Sequence, residues 1–337
     1  MKAWEISEAF GLANLRLTEA PEPVPGHGQV KLRMRAASIN YRDLVVVEGN
    51  YGRAIKPPVV PMSDGVGEVV ALGAGVNRLK LGDRVCPTFF PDWTCGAPRD
   101  SVMQLDRARG ASRNGTLCEF LAVDERSAVK VPDYLTDVEA ATLPCAGVTA
   151  WNALTYGTPT RPGDTVLVQG TGGVSVFALQ FATLMGARVI VTSSSDEKLD
   201  RARALGATDV VNYRSTPEWH QEVRRFLPDG VDRIVEVGGA DTVSRSIKCV
   251  RMGGVIAMIG VLSGGKSAID LPLVVMRFIR LEGITVGSTE HFEAMLKAMT
   301  QARMRPQIGA VVPFDQAPAA FEKIKAGGTF GKICVTM

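Results

Sequence analysis

The 337-residue sequence lacks the features that mark several large classes of protein. No stretch approaches the ~18 uninterrupted apolar residues of a membrane span. No block of Lys or Arg would follow a nucleic acid backbone, and the net charge is only +3, so nucleic acid is not expected as a partner. Glu5 and Glu8 lie where a secretory signal needs apolar residues, so we expect a cytoplasmic protein that does not enter a membrane.

Patterns for metal binding and disulfide formation are missing as well. The six cysteines are scattered, without a Cys-x-x-Cys pair, so neither a zinc ribbon nor a disulfide framework is indicated. The sequence has three histidines: His27 in a Pro-Gly-His-Gly turn, His220 in a predicted helix and His291 at a predicted helix start. We expect each histidine to be exposed or to cap a helix.

The first third of the chain is rich in short apolar runs divided by Gly and Pro. QVKLRMRAASI (29–39), GVGEVVALG (65–73) and DRVCPTFF (83–90) are typical of strands, so they predict a β-rich domain. From about Val138 the pattern changes, because EAATLPCAGVTAWNAL (139–154) has apolar residues at helical spacing. A different domain is expected to begin near there.

The central part of the chain alternates strand and helix, which predicts an α/β fold with a parallel sheet and helices on both faces. A C-terminal helix and strand, at 291–299 and 327–335, are expected to rejoin the first domain. The predicted central strands are 165–170, 187–192, 209–213, 232–237 and 253–260, with a final one at 284–287, and the predicted helices are 174–185 and 197–205.

The most specific motif is VLVQGTGGVSVFALQFA (166–182), which places glycines between a buried strand and a helix. Glycine suits a tight turn whose backbone approaches a pyrophosphate, and the charge of that group then rests on the helix N-terminus. Ser175 occupies the place of a third glycine. The loop therefore predicts a dinucleotide site formed by Gly170, Thr171, Gly172, Gly173 and Val174.

The segment TSSSDEK (192–198) predicts which dinucleotide binds. NAD enzymes place an acid at the end of this strand, whereas Ser193 and Ser194 are neutral and Lys198 follows within one helical turn. Hydroxyls and an ammonium favour a 2′-phosphate, so we predict NADP. A second interpretation, compatible with the first, is that Ser194 and Glu197 form a capping box.

The order of these segments resembles the medium-chain dehydrogenase/reductase superfamily over essentially the whole chain, in particular its quinone-oxidoreductase-like and zinc-less alcohol-dehydrogenase-like members. The resemblance adds VNYR (211–214), VGG (237–239), MIG (258–260) and FGK (330–332) to the glycine loop and SSSDEK. It implies a Rossmann-type doubly wound parallel sheet plus a β-rich GroES-like catalytic domain. The implied boundaries are 1–125, completed by 290–337, for the catalytic domain and 126–289 for the Rossmann domain.

The resemblance also implies further cofactor contacts and a homodimer. Tyr213 would hold the NADP phosphate together with Lys198, and the run LPLVVMRFI (271–279) resembles an interface that joins two sheets edge to edge. Residues at the ends of the fourth and fifth strands would line the nicotinamide, and two near the C-terminus would close over the cofactor: Val237, Gly238, Gly260 and Val261, then Phe330 and Lys332.

Zinc members of the superfamily carry Cys-His-x-Asp and Gly-His-Glu motifs. The matching segments here are Asn40-Tyr41-Arg42-Asp43 and Met62-Ser63-Asp64, so of the ligand positions only Cys145 keeps a ligand. The four closely spaced cysteines of a structural zinc lobe are also missing. Catalytic zinc takes three protein ligands, so we expect a zinc-independent enzyme, with Asp64 bonded to backbone or to Arg42.

Without a metal to polarise an oxygen, hydride addition to a quinone or an α,β-unsaturated carbonyl is favoured over alcohol oxidation. Tyr51 is the candidate proton donor, or else an aromatic residue that packs in a loop. Asn40 and Arg42 are candidate site residues, although Arg42 could instead pair with Asp43 or Asp64. Two alternatives stay open: an alcohol dehydrogenase or carbonyl reductase with an atypical zinc site, and a non-catalytic NADPH-binding protein.

Overall fold

A computed structural model describes residues 1–52, 55–103 and 107–337. The chain forms two compact units, which we call the terminal unit (Met1–Val148 with Val286–Met337) and the central unit (Thr149–Thr285). The units change at 148/149 and 285/286, whereas the expectation from the sequence places the changes at 125/126 and 289/290. Residues 126–148 go with the terminal unit because the strand they contain pairs within its sheet.

The first part of the chain supplies most strands of the terminal unit. A π-helical turn at Leu143–Gly147, which contains Pro144, separates its last two helices, so the single helix expected over 139–154 is interrupted where proline removes a donor. The elements of this part of the chain are β1 (Lys2–Ile6), β2 (Leu15–Glu19), β3 (Gln29–Ile39), α1 (Tyr41–Val47), β4 (Asp64–Leu72), β5 (Arg84–Pro87), β6 (Phe120–Asp124), β7 (Ala128–Lys130), α2 (Asp137–Ala140) and α3 (Val148–Thr155). All residues of α3 after Val148 belong to the central unit.

The central unit alternates strands and helices as the sequence predicts. None of the helices in the described part of the chain is both long and apolar enough to cross a membrane. The elements of the central unit that follow α3 are β8 (Thr165–Gln169), α4 (Gly173–Leu184), β9 (Arg188–Ser193), α5 (Asp196–Ala204), β10 (Asp209–Asn212), α6 (Trp219–Phe226), β11 (Val231–Glu236), α7 (Val243–Cys249), β12 (Val250–Met258), α8 (Leu271–Met276) and β13 (Arg280–Gly283).

The C-terminal segment completes the sheet of the terminal unit. It contains α9 (Thr289–Ala302), β14 (Ile308–Pro313), α10 (Pro318–Ala326) and β15 (Lys332–Thr336). The strand order is β14-β15-β3-β4-β5-β7, and β6 also pairs with β3. Strand β3 alternates buried and partly exposed residues over much of its length, as expected for a strand with one face on the core. The C-terminal strand therefore lies directly beside β3.

All neighbouring strands of the central sheet run parallel, in the order β10-β9-β8-β11-β12-β13. This is the doubly wound order in which the direction of winding reverses between β8 and β11, so the predicted fold class is confirmed. The expectation of a final strand at 284–287 is wrong. The last strand is β13, whose charged residues Arg280 and Glu282 are tolerated because it lies at the edge of the sheet.

Candidate active site

The glycine loop of the central unit lies at the carboxyl end of β8. Gly170 follows the strand with φ of 72°, and its N–H donates to the carbonyl of Thr192 at 2.7 Å. Gly172 is the N-cap residue of α4, and a Cβ atom at this residue would meet no heavy atom within 4 Å. The N-terminus of α4 can therefore be approached closely, which fits a pyrophosphate.

Ser175 stands where the family pattern has a third glycine. Its hydroxyl is buried and donates to the carbonyl of Gln169 at 2.7 Å. This bond ties the first turn of α4 to the end of β8. The departure from glycine thus preserves the close approach of helix and strand that a dinucleotide loop needs.

The next strand, β9, ends without an acidic side chain. Ser193 is its last residue, and the N–H of Tyr213 donates to the carbonyl of Ser193 at 3.0 Å. Lys198 lies in the first turn of α5. The structure therefore brings the ends of β9 and β10 and the start of α5 together, and the chemistry of this donor set fits a phosphate on the ribose.

The capping box expected from Ser194 and Glu197 is wrong. Ser195 is the N-cap residue of α5, and its hydroxyl accepts a hydrogen bond from the N–H of Lys198. Strand β9 extends through Ser193, so the helix begins one residue later than a cap at Ser194 requires. The side chain of Ser194 is not used by the cap.

The loops after β11 and β12 lie beside each other at the same edge of the central sheet. These strands end at Glu236 and Met258, so the predicted residues Val237, Gly238, Gly260 and Val261 follow the strands instead of ending them. A Cβ atom on Gly260 would lie 2.2 Å from the carbonyl oxygen of Val237. The two loops therefore approach each other through backbone, which requires glycine at 260.

Glu236, which no motif in the sequence predicts as a site residue, has a carboxylate that fixes the loop after β11. The residue has no exposed surface. Its carboxylate accepts from the N–H groups of Gly238 and Gly239, at 3.0 and 3.1 Å, and from the hydroxyls of Thr242 and Ser246. The amide of Gln169 donates to it at 2.7 Å. The sequence signal for this role is weak, because the strand 231–236 contains two carboxylates, Asp232 and Glu236, and its residue types do not show which one is buried.

In the terminal unit, three candidate residues meet at one end of the neighbouring strands β15, β3 and β4. Ile333 pairs with Ile39, and Ser38 pairs with Asp64. Lys332, the residue before Ile333, therefore lies beside Asn40, the residue after Ile39. The register of the three strands therefore brings Asn40, Asp64 and Lys332 together, although Lys332 is far from the other two in the sequence.

Asn40 and Arg42 are held at the start of α1. The N–H of Asn40 donates to the carboxylate of Asp43 at 2.8 Å, in a capping box. Arg42 donates through Nη1 to Asp43 at 3.0 Å and to the carbonyl of Arg109 at 2.8 Å. Of the two pairings considered for Arg42, the one with Asp43 is therefore the one observed.

Tyr51 packs against Arg42. The guanidinium carbon lies 4.3 Å from the centre of the Tyr51 ring, a distance typical of a cation–π contact. Burial raises the pKa of Tyr51 above its ordinary value, and the charge of Arg42 opposes that rise. The phenol is thus protonated at neutral pH and able to donate. Nε and Nη2 of Arg42 are buried without a partner at good hydrogen-bond geometry among the described residues.

Asp64 is fully buried beside this helix start. Its carboxylate accepts from the hydroxyl of Ser63 at 2.8 Å and from the N–H of Cys145 at 3.1 Å, so the expected bond to backbone is confirmed, and its partner is Cys145. Burial raises the pKa of Asp64 to about 6, and the ammonium of Lys332, 4.0 Å away, opposes the rise.

These residues do not fit a zinc ion. The ammonium of Lys332 donates to the carbonyl of Ile39 at 2.8 Å and to the side-chain oxygen of Asn40 at 2.5 Å. Of the three zinc-ligand positions, 40, 63 and 145, only Cys145 carries a side chain that binds zinc. In the stretches 1–52, 55–103 and 107–337, no group of three His, Cys, Asp or Glu residues is placed to hold a metal.

The three histidines and the two C-terminal candidates lie outside the glycine loop. His27 is exposed, and the ring of His291 caps α9 by accepting from the N–H of Ser288 at 3.1 Å, so both expectations are confirmed. His220 is buried in α6 beside Trp219, so the expectation of an exposed or capping residue is wrong there. Phe330 is buried in the terminal unit, as is Lys332.

Comparison with known proteins identifies the class of protein. Residues 26–133 match the alcohol dehydrogenase GroES-like domain, and residues 173–301 match the zinc-binding dehydrogenase family. A zinc-type alcohol dehydrogenase-like protein of Schizosaccharomyces pombe is 39% identical over 314 residues, which cover 91% of this chain and 90% of the relative. The chain belongs to the medium-chain dehydrogenase/reductase superfamily, an oxidoreductase family, as the sequence motifs predict.

Other relatives carry different chemistries on the same architecture. The acryloyl-coenzyme A reductase of Metallosphaera sedula is 31% identical and covers 94% of this chain and 95% of its own. An NAD-dependent alcohol dehydrogenase structure superposes with a TM-score of 0.91 at 33% identity, covering all of both chains. A mycobacterial protein complexed with NADPH gives 0.84 at 28% identity, again over all of both chains. Two of these relatives are therefore named with a nicotinamide cofactor, NAD in one case and NADPH in the other.

Proposed function

We propose that this chain is an NADPH-dependent, zinc-independent reductase that adds hydride to a quinone or to the C=C bond of an α,β-unsaturated carbonyl compound. The observation that carries the proposal is the cluster at the zinc-ligand positions, where the amide of Asn40 and the hydroxyl of Ser63 stand in place of metal ligands and the ammonium of Lys332 lies beside them. The loop proposed to bind the dinucleotide keeps Gly170, Gly172 and Gly173, with Ser175 in place of a third glycine. The relative named as an acryloyl-coenzyme A reductase supports reduction of an activated double bond.

The preference for NADPH rests on the end of β9. Ser193, Ser194, Lys198 and Tyr213 offer hydroxyls and one ammonium there, and no carboxylate follows the strand within the next two residues. A 2′-phosphate would be repelled by an acid at this position and stabilised by these donors. The NADPH complex among the structural neighbours supports this preference, whereas the NAD-dependent neighbour makes a direct measurement necessary.

Bound NADPH would supply the hydride. The residues of the terminal unit would stabilise the negative charge that develops on the substrate and would supply the proton. Reduction of an enone places negative charge on its carbonyl oxygen, and neutral donors can stabilise that charge. The amide nitrogen of Asn40 and the buried N–H groups of Arg42 are the donors we assign to this oxygen. Tyr51, protonated at neutral pH, is the proton donor that completes the addition.

A homodimer is part of the proposal, because β13 ends the sheet order and its outer edge pairs with no strand in the described chain. Val275, Met276 and Phe278, next to this edge, are 70, 71 and 73% exposed. Apolar side chains beside an open strand edge favour a second copy as the partner. Sedimentation of the purified chain should give the mass of two chains, and a monomer at micromolar concentration would contradict it.

The test of the function is a matrix of two cofactors and several acceptors. Oxidation of NADPH and NADH is followed at the nicotinamide absorbance band with quinones, enones, enoyl thioesters and simple aldehydes, each with and without a chelator. We expect faster turnover with NADPH, activity on quinones or activated double bonds, and no loss with the chelator. Loss of activity with the chelator and its return with zinc would overturn the proposal, as would activity confined to aldehydes and alcohols.

A further inference from the structure

Three arginines of the central unit line a cavity of about 330 Å³, which we call the arginine pocket. It lies where β11, β12 and β13 begin, whereas the glycine loop lies where β8 ends. We propose that the arginine pocket binds a phosphate group, carried by a small phosphate monoester or present as the free ion, at a site separate from the one proposed for the cofactor. The residues that line the pocket are Arg224, Pro228, Asp229, Arg251, Met252 and Arg277.

The fold brings the three arginines together from distant parts of the sequence. Arg224 lies in α6, Arg251 is the second residue of β12, and Arg277 lies between α8 and β13. Because β11, β12 and β13 are parallel neighbours, their amino ends meet at one edge of the sheet. The strands themselves therefore separate the arginine pocket from the loops at their carboxyl ends.

Arg224 contributes a guanidinium whose charge is not balanced. Its Nη1 is buried with no hydrogen-bond partner in the described part of the chain, and the side chain forms no ion pair with an acidic residue there. Gly230, with φ of 90°, makes room for it, since a Cβ atom at 230 would lie 2.7 Å from Nη1. A partly buried charge without a partner is costly, and an anion in the pocket would balance it.

Arg277 lies close enough to Arg224 to be affected by its charge. Burial, and next the positive charge of Arg224, lower the pKa of Arg277. Nη2 of Arg277 donates to the carbonyl of Val250 at 2.8 Å, a neutral acceptor that leaves the charge in place. Two guanidinium groups side by side repel each other, and an anion between them would replace this repulsion with two attractions.

The carboxylates near the arginine pocket do not cancel its positive charge. Arg251 pairs with Asp232 through Nε and donates through Nη1 to the carbonyl of Met252 at 2.7 Å. Asp229 also lines the pocket, and its carboxylate opposes an anion, but this residue is exposed to water, which screens its charge. Three guanidinium groups and two carboxylates leave a positive excess at the pocket.

The chemistry and size of the arginine pocket point to a phosphate group on a small organic ligand. Guanidinium groups match the geometry of phosphate oxygens and bind them through paired N–H groups. The volume of about 330 Å³ is at the lower end of the range for small-molecule sites, about 300–1,000 Å³. Pro228 and Met252, the latter 60% exposed, add apolar surface beside the arginines, against which the organic part of a monoester can pack.

The test compares a charge inside the arginine pocket with one just outside it. Sodium phosphate, glycerol 3-phosphate and glycerol are titrated calorimetrically into the wild type, Arg224→Gln and the control Arg225→Gln, at an ionic strength held constant with KCl. Arg225 is the exposed neighbour of Arg224 in α6 and pairs with Glu222.

We expect both phosphate compounds to bind Arg224→Gln about 10- to 100-fold more weakly than the wild type and the control, because hydrogen bonds to charged groups contribute about that much. Glycerol should not bind. Tighter binding of glycerol 3-phosphate than of inorganic phosphate would identify a monoester as the ligand, and equal binding would identify the free ion.

The absence of saturable phosphate binding to the wild type would overturn the proposal. Equal phosphate affinity in Arg224→Gln and Arg225→Gln would do so as well, because phosphate bound only at the glycine loop would not distinguish them. If Arg224→Gln does not fold, Arg277→Gln takes its place with the same expectation. The titration needs no turnover, so a failed acceptor screen would leave its result unaffected.

Discussion

Among the described residues, Asp43, Asp64 and Glu236 have no exposed surface, and the surroundings of Asp64 and Glu236 differ. In the central unit, Glu236 is surrounded by backbone N–H groups, hydroxyls and an amide, all of them neutral donors. In the terminal unit, Asp64 has the hydroxyl of Ser63, the N–H of Cys145 and the amide of Asn40, with an ammonium at 4.0 Å. A buried carboxylate with many donors can do without a cation, whereas one with few donors needs an opposite charge nearby.

The two carboxylates, with their different surroundings, have different roles in the protein. The network of Glu236 shapes the loop that contains Gly238, at the edge of the central sheet where we propose that a dinucleotide binds. The cluster of Asp64 lies with Asn40, Arg42 and Tyr51, to which we assign the chemistry. Substitutions in the central unit should therefore change cofactor binding, and substitutions in the terminal unit should change turnover or its dependence on pH.

The largest effect is expected from Tyr51→Phe. If Tyr51 donates the proton, the rate of enone reduction should fall by about 10²- to 10⁴-fold, because general acid catalysis contributes about that much. Quinone reduction should be affected less, since solvent can protonate its product. Steady-state rates with both acceptors check this, and the dissociation constant for NADPH should stay unchanged. Equal rates for variant and wild type on both acceptors would leave Tyr51 a packing residue.

The next largest effect is expected from Asp64→Asn, which should change how the free energy of unfolding depends on pH. Burial raises the pKa of Asp64 to about 6 in the folded chain, so the folded state binds this proton more tightly than the unfolded state. The resulting stabilisation is present at low pH and is lost as the pH rises through about 6.

Asparagine at position 64 does not titrate, so its stability relative to wild type should rise by about 2 kcal/mol from pH 4 to pH 7. Urea unfolding at several pH values measures this change. Glu236→Gln serves as the matched variant in the other unit. A difference between Asp64→Asn and wild type that does not change with pH would show that the aspartate is not the titrating group.

A smaller effect, confined to the cofactor, is expected from Gly172→Ala. A Cβ atom at 172 meets no protein atom within 4 Å, so the unfolding temperature should not change. The added methyl would occupy the place of the pyrophosphate, and the dissociation constant for NADPH should rise about tenfold, or 1.4 kcal/mol. Gly265→Ala is the control, because a Cβ atom at 265 also meets no protein atom within 4 Å. An equal loss of NADPH affinity in that variant would contradict a specific role of Gly172 at the pyrophosphate.

The smallest effect is expected from Lys198→Ala. Removal of a partly exposed ammonium from the 2′-phosphate should weaken NADPH binding by about 1 kcal/mol, roughly fivefold. Affinity for NADH, which lacks this phosphate, should not change. Isothermal titration with both cofactors measures the ratio. If both affinities fall by the same factor, Lys198 acts through the structure of α5 and not through the phosphate.

Much of the fold could be predicted because its signals are local. The glycines at 170, 172 and 173 between a buried strand and a helix indicated the dinucleotide loop, and alternation of strands and helices indicated the parallel sheet. The predictions of the last strand of the central sheet and of the N-cap residue of α5 were wrong, because more than one local signal is present in each segment. Apolar content favoured a final strand at 284–287, whereas the edge of the sheet accepts the charged strand β13, and Ser195 caps α5 because β9 extends through Ser193.

The sequence by itself determined the family, the fold class and the absence of metal ligands at positions 40 and 63, since each depends on residue types at fixed spacing. Only the tertiary structure decided what stands in their place. Lys332 and Asn40 are 292 residues apart in the chain, and the register of β15 on β3 brings them together. No periodicity or motif reports such a pairing, because strand register is set by contacts between distant segments of the chain.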